Sequence, residues 1–334
     1  LVEKIMEKNI LITGITGQDG IFLTENLIRN NPDAIIYGFT RNHKNNTFFS
    51  NLEYLNKELN YENIRLLDSA YINGDGLSDL IKEIEPNYIF NMSGPSSVYE
   101  SIKTPQLSDE IEKIFNNLIQ SCISLNLFPG FFQASSSEMY GLNKEKTLNE
   151  TSDFKPTSPY AIAKYNIHKR IYELRKEYNW NVVSGIMFNH ESEFRKDEYL
   201  FMKIINYAIK ARNGKQKGNL LLGSLELKRD WSYAGDIAEA AILILKNNSK
   251  SDFVLGSGTT NSIEEVVSMT FNYFNLEWEN FVEIDKSLLR AEDPIERVSN
   301  PIKIKNEIGW KTKIKMSEII EKIIKFKLDM LNGL

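Results

Sequence analysis

The sequence feature that most constrains the fold is a glycine-rich turn near the start of the chain. A short apolar run at residues 10–13 is typical of a buried strand, and it ends at Gly14-Ile15-Thr16-Gly17-Gln18-Asp19-Gly20. An amphipathic helix pattern follows at once. Such a turn lets the backbone approach a pyrophosphate and points the helix N-terminus at its charge. The alternative is a βα turn without a ligand. We predict a dinucleotide cofactor bound by Gly14, Thr16, Gly17, Gln18, Asp19 and Gly20.

The chain then alternates predicted strands and helices up to about Glu191. The strands are predicted at residues 34–40, 63–68, 87–92, 131–134 and 181–188, with long helices at 107–125 and 158–178. Six βα units with short connections predict an α/β fold, a Rossmann-type doubly wound, mostly parallel sheet. Beyond Glu191 the pattern changes: residues 193–217 read as charged and helical, 253–255 as another strand and 316–330 as a helix. We predict a Rossmann domain of residues 1–190 with 228–258, and a smaller, interleaved C-terminal lobe of 191–227 and 259–334.

Two residues at strand ends bear on the choice of dinucleotide. The second strand ends at Arg41, where an NAD enzyme of this fold usually carries an acidic residue that binds the ribose diol. A cation at this place suits a 2′-phosphate, so we predict NADP. The alternative is a solvated basic loop. Asp68 ends the third strand and is placed to reach the adenine.

Composition excludes several other classes of protein. The net charge of −5, without a strongly basic block, argues against nucleic acid as the partner. The single cysteine, Cys122, excludes a disulfide within the chain and suits the cytoplasm. No apolar run approaches the roughly 20 residues of a membrane span, and we expect neither a membrane anchor nor a signal peptide. The three histidines are scattered along the chain without the spacing of metal ligands, so we predict no metal site.

Two stretches supply a hydroxyl, a carboxylate, a phenol and an ammonium group. The fifth strand delivers Ser136 and Glu138 to the carboxyl edge of the sheet, and the helix from residue 158 carries Tyr160 and Lys164. These groups are the ones needed to take a hydride from a sugar carbon and then to remove water. The Glu138 carboxylate, two residues from the Ser136 hydroxyl, can reach the far side of a sugar ring that contacts this hydroxyl.

Tyr-x-x-x-Lys alone is a weak pattern, because it recurs at Tyr165/Lys169 and Tyr172/Lys176. Only the first copy follows a good N-cap, Ser158, with Pro159 as the first helical residue. Tyr160 is therefore predicted at the mouth of the helix, with Lys164 one turn further on the same face. The later copies are predicted to be surface or packing pairs.

The chain resembles extended short-chain dehydrogenases/reductases and, within that group, the GDP-mannose 4,6-dehydratases. The similarity runs from residue 10 to about residue 310. Its most specific pieces are Ile12-Thr13-Gly14-Ile15-Thr16-Gly17-Gln18-Asp19-Gly20, Gln133-Ala134-Ser135-Ser136-Ser137-Glu138-Met139-Tyr140-Gly141, Ser158-Pro159-Tyr160-Ala161, Phe188-Asn189-His190-Glu191-Ser192, Leu222-Gly223 and Arg229-Asp230-Trp231.

The resemblance implies roles for the four catalytic candidates. Tyr160 takes the proton of the sugar O4, its pKa lowered by Lys164 and the nicotinamide charge. Ser136 hydrogen-bonds O4, where the family usually has Thr. Glu138 removes the C5 proton and then protonates the departing C6 hydroxyl. The hydride passes from C4 to NADP and returns to C6, so the cofactor is expected to stay bound.

The resemblance also implies a nucleotide-sugar site in the C-terminal lobe. Asn189, Lys203, Arg229 and Arg290 fall where the family holds the nucleotide diphosphate, and Asp293 stands where it has Glu near the ribose. A surface charge is the alternative for each lone Arg or Lys.

The sugar end departs from the family, because Pro95-Ser96-Ser97 replaces a usual Gln-Ser-His, and Glu193-Phe194-Arg195 keeps only part of a basic pair. Small side chains at Ser96 and Ser97 leave room for a bulkier C2 group. We expect GDP-mannose or a relative such as GDP-N-acetylglucosamine or a GDP-heptose as the substrate.

Two other functions use the same scaffold. A nucleotide-sugar 4-epimerase or 4-reductase needs Tyr160 and Lys164 but not Glu138 as a C5 base. An NADP-sensing regulator, the second alternative, does not need all four of Ser136, Glu138, Tyr160 and Lys164. The resemblance also implies a homodimer through the helices at 107–125 and 158–178, or a homotetramer if the basic loop from residue 41 to 49 reaches a neighbour.

Overall fold

The computed structural model describes residues 9–41, 46–95, 97–289 and 294–333. Its strands are β1 (Asn9–Thr13), β2 (Ile35–Thr40), β3 (Ile64–Asp68), β4 (Tyr88–Asn91), β5 (Gly130–Ser136), β6 (Thr147–Leu148), β7 (Val182–Met187), β8 (Asn189–Glu191), β9 (Leu220–Leu222), β10 (Lys228–Arg229), β11 (Trp231–Tyr233), β12 (Phe253–Leu255), β13 (Asn261–Ser262), β14 (Val282–Ile284) and β15 (Glu296–Ser299). Its helices are α1 (Gln18–Asn30), α2 (Asn46–Leu55), α3 (Ala70–Asn73), α4 (Leu77–Ile84), α5 (Val98–Lys103), α6 (Gln106–Ser124), α7 (Pro159–Tyr178), α8 (Leu200–Arg212), α9 (Ala234–Lys246), α10 (Ile263–Asn272), α11 (Ile302–Ile308) and α12 (Met316–Leu331).

A central sheet of seven strands organises the molecule, in the order β12-β7-β5-β4-β1-β2-β3. Every neighbouring pair in it is parallel, which confirms the predicted doubly wound sheet. The strand order reverses at β1, between β2 and β4, so the carboxyl ends of β1 and β4 flank the crevice in which such sheets bind ligands. The strand predicted at 253–255 is the seventh strand of this sheet.

Small sheets beside the central one bring the C-terminal part of the chain to that same edge. β15 pairs with both β6 and β10, and β11 pairs with β8. Since β6 lies a few residues after β5, these pairings place β15 close to the end of β5.

The prediction of a helix across residues 193–217 is wrong at both ends, because α8 runs only from Leu200 to Arg212. Residues 193–199 form turns. Buried contacts hold them: the Glu193 carboxylate accepts a hydrogen bond from the Tyr233 hydroxyl at 3.0 Å, and the Phe194 ring packs 5.3 Å from the Phe22 ring. These tertiary contacts outweigh the local helical pattern.

The apolar core runs from the central sheet into the C-terminal helices. One buried cluster includes Ile10 and Ile12 of β1, Ala238 of α9 and Ile320 of α12. The division into two lobes stays a prediction. Within the part of the chain that the structure describes, no helix is long and apolar enough to cross a membrane.

Candidate active site

The glycine-rich turn after β1 has the close packing that its sequence predicts. Gly14 has φ of +69°, and a Cβ on Gly20 would lie 2.4 Å from the carbonyl oxygen of Gly14. Gly17 caps α1 in an extended conformation without a side-chain cap hydrogen bond. The N–H groups of the first turn of α1 therefore face the crevice without a side-chain acceptor, and this arrangement suits a pyrophosphate.

The side chains of Gln18 and Asp19 tie this turn to β8, 172 residues further along the chain. Gln18 Nε2 donates to the His190 carbonyl at 3.2 Å, and Gln18 Oε1 accepts from the Ser192 hydroxyl at 2.8 Å. Asp19 Oδ1 lies 3.0 Å from His190 Nε2. The Gly-Gln-Asp-Gly and Asn-His-Glu-Ser strings thus form one structural unit.

Both ring nitrogens of His190 face acceptors in this unit. Its Nδ1 lies 2.7 Å from the Phe188 carbonyl, which can only accept, while its Nε2 faces the Asp19 carboxylate. Burial opposes the charge, but the charge and hydrogen bond of Asp19 raise the pKa of His190. Burial likewise opposes the charge of Asp19, whose pKa is nevertheless lowered by His190 and by Arg195.

A buried polar chain crosses the carboxyl ends of three strands. Thr13 Oγ1 donates to Asn91 Oδ1 at 2.6 Å, and Asn91 Nδ2 donates to Gln133 Oε1 at 2.7 Å. Gln133 Nε2 and Lys164 Nζ both donate to the Ala134 carbonyl, at 2.8 and 2.7 Å. This network fixes the Lys164 ammonium at the end of β5. Its Thr, Asn and Gln members were not predicted as site residues, although each stands at or near the end of a predicted strand.

The two remaining predicted cofactor positions lie at strand ends. Arg41 is exposed directly after β2. Asp68 ends β3, and its Oδ1 accepts the backbone N–H of Ala70 at 2.8 Å. Contacts of Arg41, Asp68 and Thr16 with a cofactor stay predictions.

Ser136 and Tyr160 meet where β5 and α7 adjoin. The Ser158 hydroxyl caps α7 by accepting the Ala161 N–H at 3.1 Å, which confirms the predicted start of the helix. Tyr160 then lies in the first turn, near enough to Ser136 for that hydroxyl to act on the pKa of its phenol. Both residues are only 8% exposed. Lys164 Nζ lies 5.7 Å from the centre of the Tyr160 ring.

Burial governs the protonation of this pair in the chain by itself. It raises the pKa of Tyr160 to about 12, and the Ser136 side chain only partly opposes this. Burial also lowers the pKa of Lys164 to about 8, against the attraction of Asp19. In the chain without cofactor, burial dominates the pKa of Tyr160, and the Lys164 ammonium donates to the Ala134 carbonyl. The predicted lowering by Lys164 together with the nicotinamide charge stays a prediction. The charge of an oxidised nicotinamide is the remaining source of a lower value.

The predicted base Glu138 lies in a short 3-10 turn that follows β5. Its backbone N–H donates to the Ser136 hydroxyl at 3.2 Å, and its charge acts on Tyr160. Glu138 Oε1 is paired with Arg297 Nη1 at 3.1 Å. Arg297 was not identified as a site residue, because nothing in its own neighbourhood signals a contact 159 residues away.

Arg195 and Tyr199 also border the site. The Arg195 guanidinium stacks 3.6 Å from the centre of the Tyr199 ring, and both residues act electrostatically on Tyr160. Arg195 also lies 3.4 Å from Glu191 Oε2. Arg195 belongs to the segment whose sequence departs from the family. This departure was the only sequence feature that pointed to Arg195 as a site residue.

The predicted nucleotide-sugar residues lie in several surrounding elements. Asn189 is exposed at the start of β8, and Lys203 is exposed on α8. Arg229 is half-buried, with Nη1 donating to the Pro294 carbonyl at 2.9 Å. The hydroxyl of Ser97, a residue proposed to shape the sugar pocket, accepts the Glu100 N–H at 3.1 Å and caps α5. Three further predicted residues lie outside the described part of the chain: Ser96, Arg290 and Asp293.

Asp230, next to Arg229, is a buried junction of the C-terminal elements. Its Oδ1 accepts the N–H and hydroxyl of Ser257, and its Oδ2 accepts the N–H of Gly258 and both donors of Ser299. These five bonds join the ends of β10, β12 and β15 near the site.

The later Tyr-x-x-x-Lys copies lack such surroundings. Lys169 Nζ lies over the Tyr165 ring at 4.8 Å, and Lys176 Nζ over the Tyr172 ring at 4.2 Å. Tyr172 is 56% exposed. The structure confirms the prediction that they are packing and surface pairs. No group of three or more possible metal ligands occurs among the described residues.

Comparison with solved structures supports the fold. A UDP-N-acetylglucosamine 4-epimerase from Methanobrevibacter ruminantium superposes with a TM-score of 0.81 at 21% identity, covering 97% of this chain and 99% of the other. A dTDP-glucose 4,6-dehydratase from Bacillus anthracis, in complex with NAD, also has a TM-score of 0.81, at 20% identity and 97% coverage of each chain. At these identities the likeness concerns the fold alone.

Sequence comparison is more specific. GDP-mannose 4,6 dehydratase 1 of Arabidopsis thaliana is 30% identical over 97% of this chain and 90% of its own length. The GDP-mannose 4,6 dehydratase of Homo sapiens is 29% identical over 96% and 91% of the two chains. The family profile for GDP-mannose 4,6 dehydratase matches residues 11–323. The chain therefore belongs to the GDP-mannose 4,6-dehydratase family, a family of hydro-lyases within the extended short-chain dehydrogenase/reductase fold.

Proposed function

We propose that this protein is a GDP-sugar 4,6-dehydratase whose chemistry is carried by Ser136, Glu138, Tyr160 and Lys164. The observation that supports this most directly is the convergence of these four groups at the carboxyl edge of the sheet. The Ser136 side chain acts on the pKa of Tyr160, the Lys164 ammonium lies 5.7 Å from the Tyr160 ring, and the Glu138 charge acts on the same phenol. A hydroxyl, a phenol and a carboxylate therefore lie close together where β5 and α7 adjoin.

NADP is the proposed cofactor. The glycine turn and the first turn of α1 suit its pyrophosphate. Asp68, at the end of β3, is proposed to reach the adenine, and the exposed Arg41 after β2 is proposed to bind a 2′-phosphate. When bound, the nicotinamide supplies reversible hydride storage, accepting from C4 and returning to C6. Fluorescence titration with NADP and NAD tests this choice: tighter binding of NAD contradicts the role of Arg41.

The side chains handle the protons. Tyr160 accepts the O4 proton as the C4–H pair leaves, with the Ser136 hydroxyl holding O4 and Lys164 supplying positive charge. The resulting 4-ketone acidifies C5, and the Glu138 carboxylate takes the C5 proton. The C5–H electron pair forms the C5–C6 double bond as the C6–O bond breaks, and the Glu138 proton leaves with the hydroxyl as water. C6 then takes up the stored hydride, C5 takes a solvent proton and Tyr160 releases the O4 proton to solvent, so that water loss is the only net change.

The GDP end of the substrate is proposed to bind at Asn189, Lys203, Arg229, Arg290 and Asp293. Family membership supports these positions. Arg229 ends β10 directly before Asp230, and Asn189 of β8 pairs in register with Trp231, directly after Asp230. The sugar is GDP-mannose or a relative such as GDP-N-acetylglucosamine or a GDP-heptose, and Ser96 is proposed to border its C2 group.

The direct test uses purified protein with NADP and each of the three GDP-sugars in turn. Mass spectrometry is expected to find a product lighter by one water from one of them. Turnover of dTDP-glucose or UDP-N-acetylglucosamine, and of no GDP-sugar, contradicts the GDP assignment.

Glu138→Gln separates dehydration from epimerisation or reduction at C4. Removing a general base costs about 10²–10⁴-fold in rate, so water loss is expected to fall by that factor while NADP affinity is kept. Unchanged turnover favours a 4-epimerase or 4-reductase, which have no use for a C5 base.

Two further properties are proposed without a direct observation. The protein forms a homodimer through α6 and α7, or a homotetramer built from such dimers, as light scattering can test. It acts in the cytoplasm, which suits a chain with one cysteine, Cys122, that is fully buried.

A further inference from the structure

Arg297 lies inside the wall of the proposed active site. It is the second residue of β15, which pairs with β10 on one side and with β6 on the other. The arginine is only 6% exposed. A buried guanidinium keeps its charge and needs acceptors close by, so its neighbours indicate what it does.

Both terminal nitrogens of Arg297 are directed at the 3-10 turn after β5. Nη1 donates to Glu138 Oε1 at 3.1 Å, and Nη2 donates to the Gly141 carbonyl at 3.1 Å. The two bonds fix the plane of the guanidinium on the beginning and the end of the turn that carries the proposed C5 base.

The pair is asymmetric in a way that favours catalysis. Arg297 is buried, whereas the Glu138 side chain is 29% exposed. Oε1 is the oxygen that Arg297 holds, and within the described part of the chain Oε2 has no hydrogen-bond donor. The carboxylate is therefore anchored by one oxygen and presents the other to a ligand.

A purely structural role explains these contacts less well. β15 is already fastened by Ser299, whose N–H and hydroxyl both donate to the buried carboxylate of Asp230. Its ladders to β6 and β10 add backbone hydrogen bonds. The bond from Arg297 to Glu138 instead fixes a side chain that the fold does not need.

We propose that Arg297 is a positioning residue that holds the Glu138 carboxylate in the orientation required for taking the C5 proton and returning it to the C6 hydroxyl. This inference rests on the proposed dehydratase function. Arg297 touches neither C4 nor O4 in this scheme, so the C4 half of the reaction does not depend on it. A general base displaced by about 1 Å can lose about 10²-fold in rate.

The test compares Arg297→Met with Arg297→Lys and with a matched control, Arg175→Met. Arg175 is also largely buried and paired with a carboxylate, that of Asp252. It lies 15 residues after Tyr160 on α7, roughly 22 Å along the helix. Its loss therefore reports the general effect of breaking a buried ion pair.

In Arg297→Met, we expect water loss to fall about 10²-fold. Reduced nicotinamide is expected to accumulate after substrate is added, seen by its near-ultraviolet absorbance, while KM and NADP affinity stay within about twofold. Arg297→Lys keeps a charge but not the planar fork, and is expected to recover part of the rate. Arg175→Met is expected to remove water from the substrate at the wild-type rate, without accumulation of reduced nicotinamide.

The double variant Glu138→Gln, Arg297→Met gives the sharpest readout, and it remains useful if one single variant is unstable. If Arg297 acts only through Glu138, its loss adds nothing to Glu138→Gln. An additional loss of tenfold or more, or rates equal in Arg297→Met and Arg175→Met, overturns the inference while the dehydratase function stands. No water loss by the wild-type protein refutes the proposed function and, with it, the inference.

Discussion

Asp230→Asn is expected to lower the free energy of unfolding by about 2–4 kcal/mol, because the carboxylate accepts five hydrogen bonds and an amide cannot accept them all. Three of the five donors are backbone N–H groups, those of Ser257, Gly258 and Ser299. Asp230 itself is 1% exposed, so water does not replace a lost partner.

The magnitude follows from the two ways in which the amide can be placed. If the asparagine NH₂ group takes the Oδ1 position, this donor faces the Ser257 N–H, which is also a donor. If it takes the Oδ2 position, it faces the N–H donors of Gly258 and Ser299. The less costly placement leaves one N–H without its acceptor, at about 1–3 kcal/mol. The remaining bonds lose their charge assistance, at roughly 0.5–1 kcal/mol each, and relief of a buried charge offsets part of the total.

Equilibrium unfolding in urea, followed by tryptophan fluorescence, measures this change. Asp285→Asn is the matched control, since Asp285 Oδ1 accepts the Ser287 N–H at 2.9 Å in a turn open to water. We expect its midpoint to equal that of the wild type. A fall for Asp230→Asn no larger than for the control refutes the view that Asp230 holds β10, β12 and β15 together.

Three further predictions concern the cofactor side of the site. The stability that His190 adds, measured as wild type minus His190→Gln in unfolding experiments, is expected to be largest between about pH 4 and 6.5. This contribution declines as the pH rises through the raised pKa of His190, and as the pH falls through the lowered pKa of Asp19. A stability difference that does not change with pH contradicts the charged pair. In Gly20→Ala the new Cβ would lie 2.4 Å from the Gly14 carbonyl oxygen. We expect NADP binding, measured by fluorescence titration, to weaken at least tenfold, which is about 1.4 kcal/mol or more. An affinity equal to that of the wild type argues against the tight turn. Arg41→Ser is expected to weaken NADP binding about tenfold and leave NAD binding unchanged, and equal losses for both rule out a 2′-phosphate contact.

Local patterns in the sequence were sufficient for the framework of the fold. The apolar run of β1, the glycine turn and α1 follow from interactions within about 20 residues, as does the cap of α7 at Ser158. Because parallel strands end at one edge of the sheet, Ser136 and Tyr160 could also be predicted to lie near each other. The specific strings of residues were sufficient for the family.

The tertiary structure alone decided how the site is completed. Arg297 and Glu138 are 159 residues apart, and their contact depends on β15 pairing beside β6. The pKa of His190 rises only because β8 brings it to Asp19, and the pKa of Tyr160 rises because α7 is packed against the sheet. Burial and charge pairing depend on which surfaces meet across the whole molecule. A pattern that acts over one or two turns of helix carries no information about such pairs.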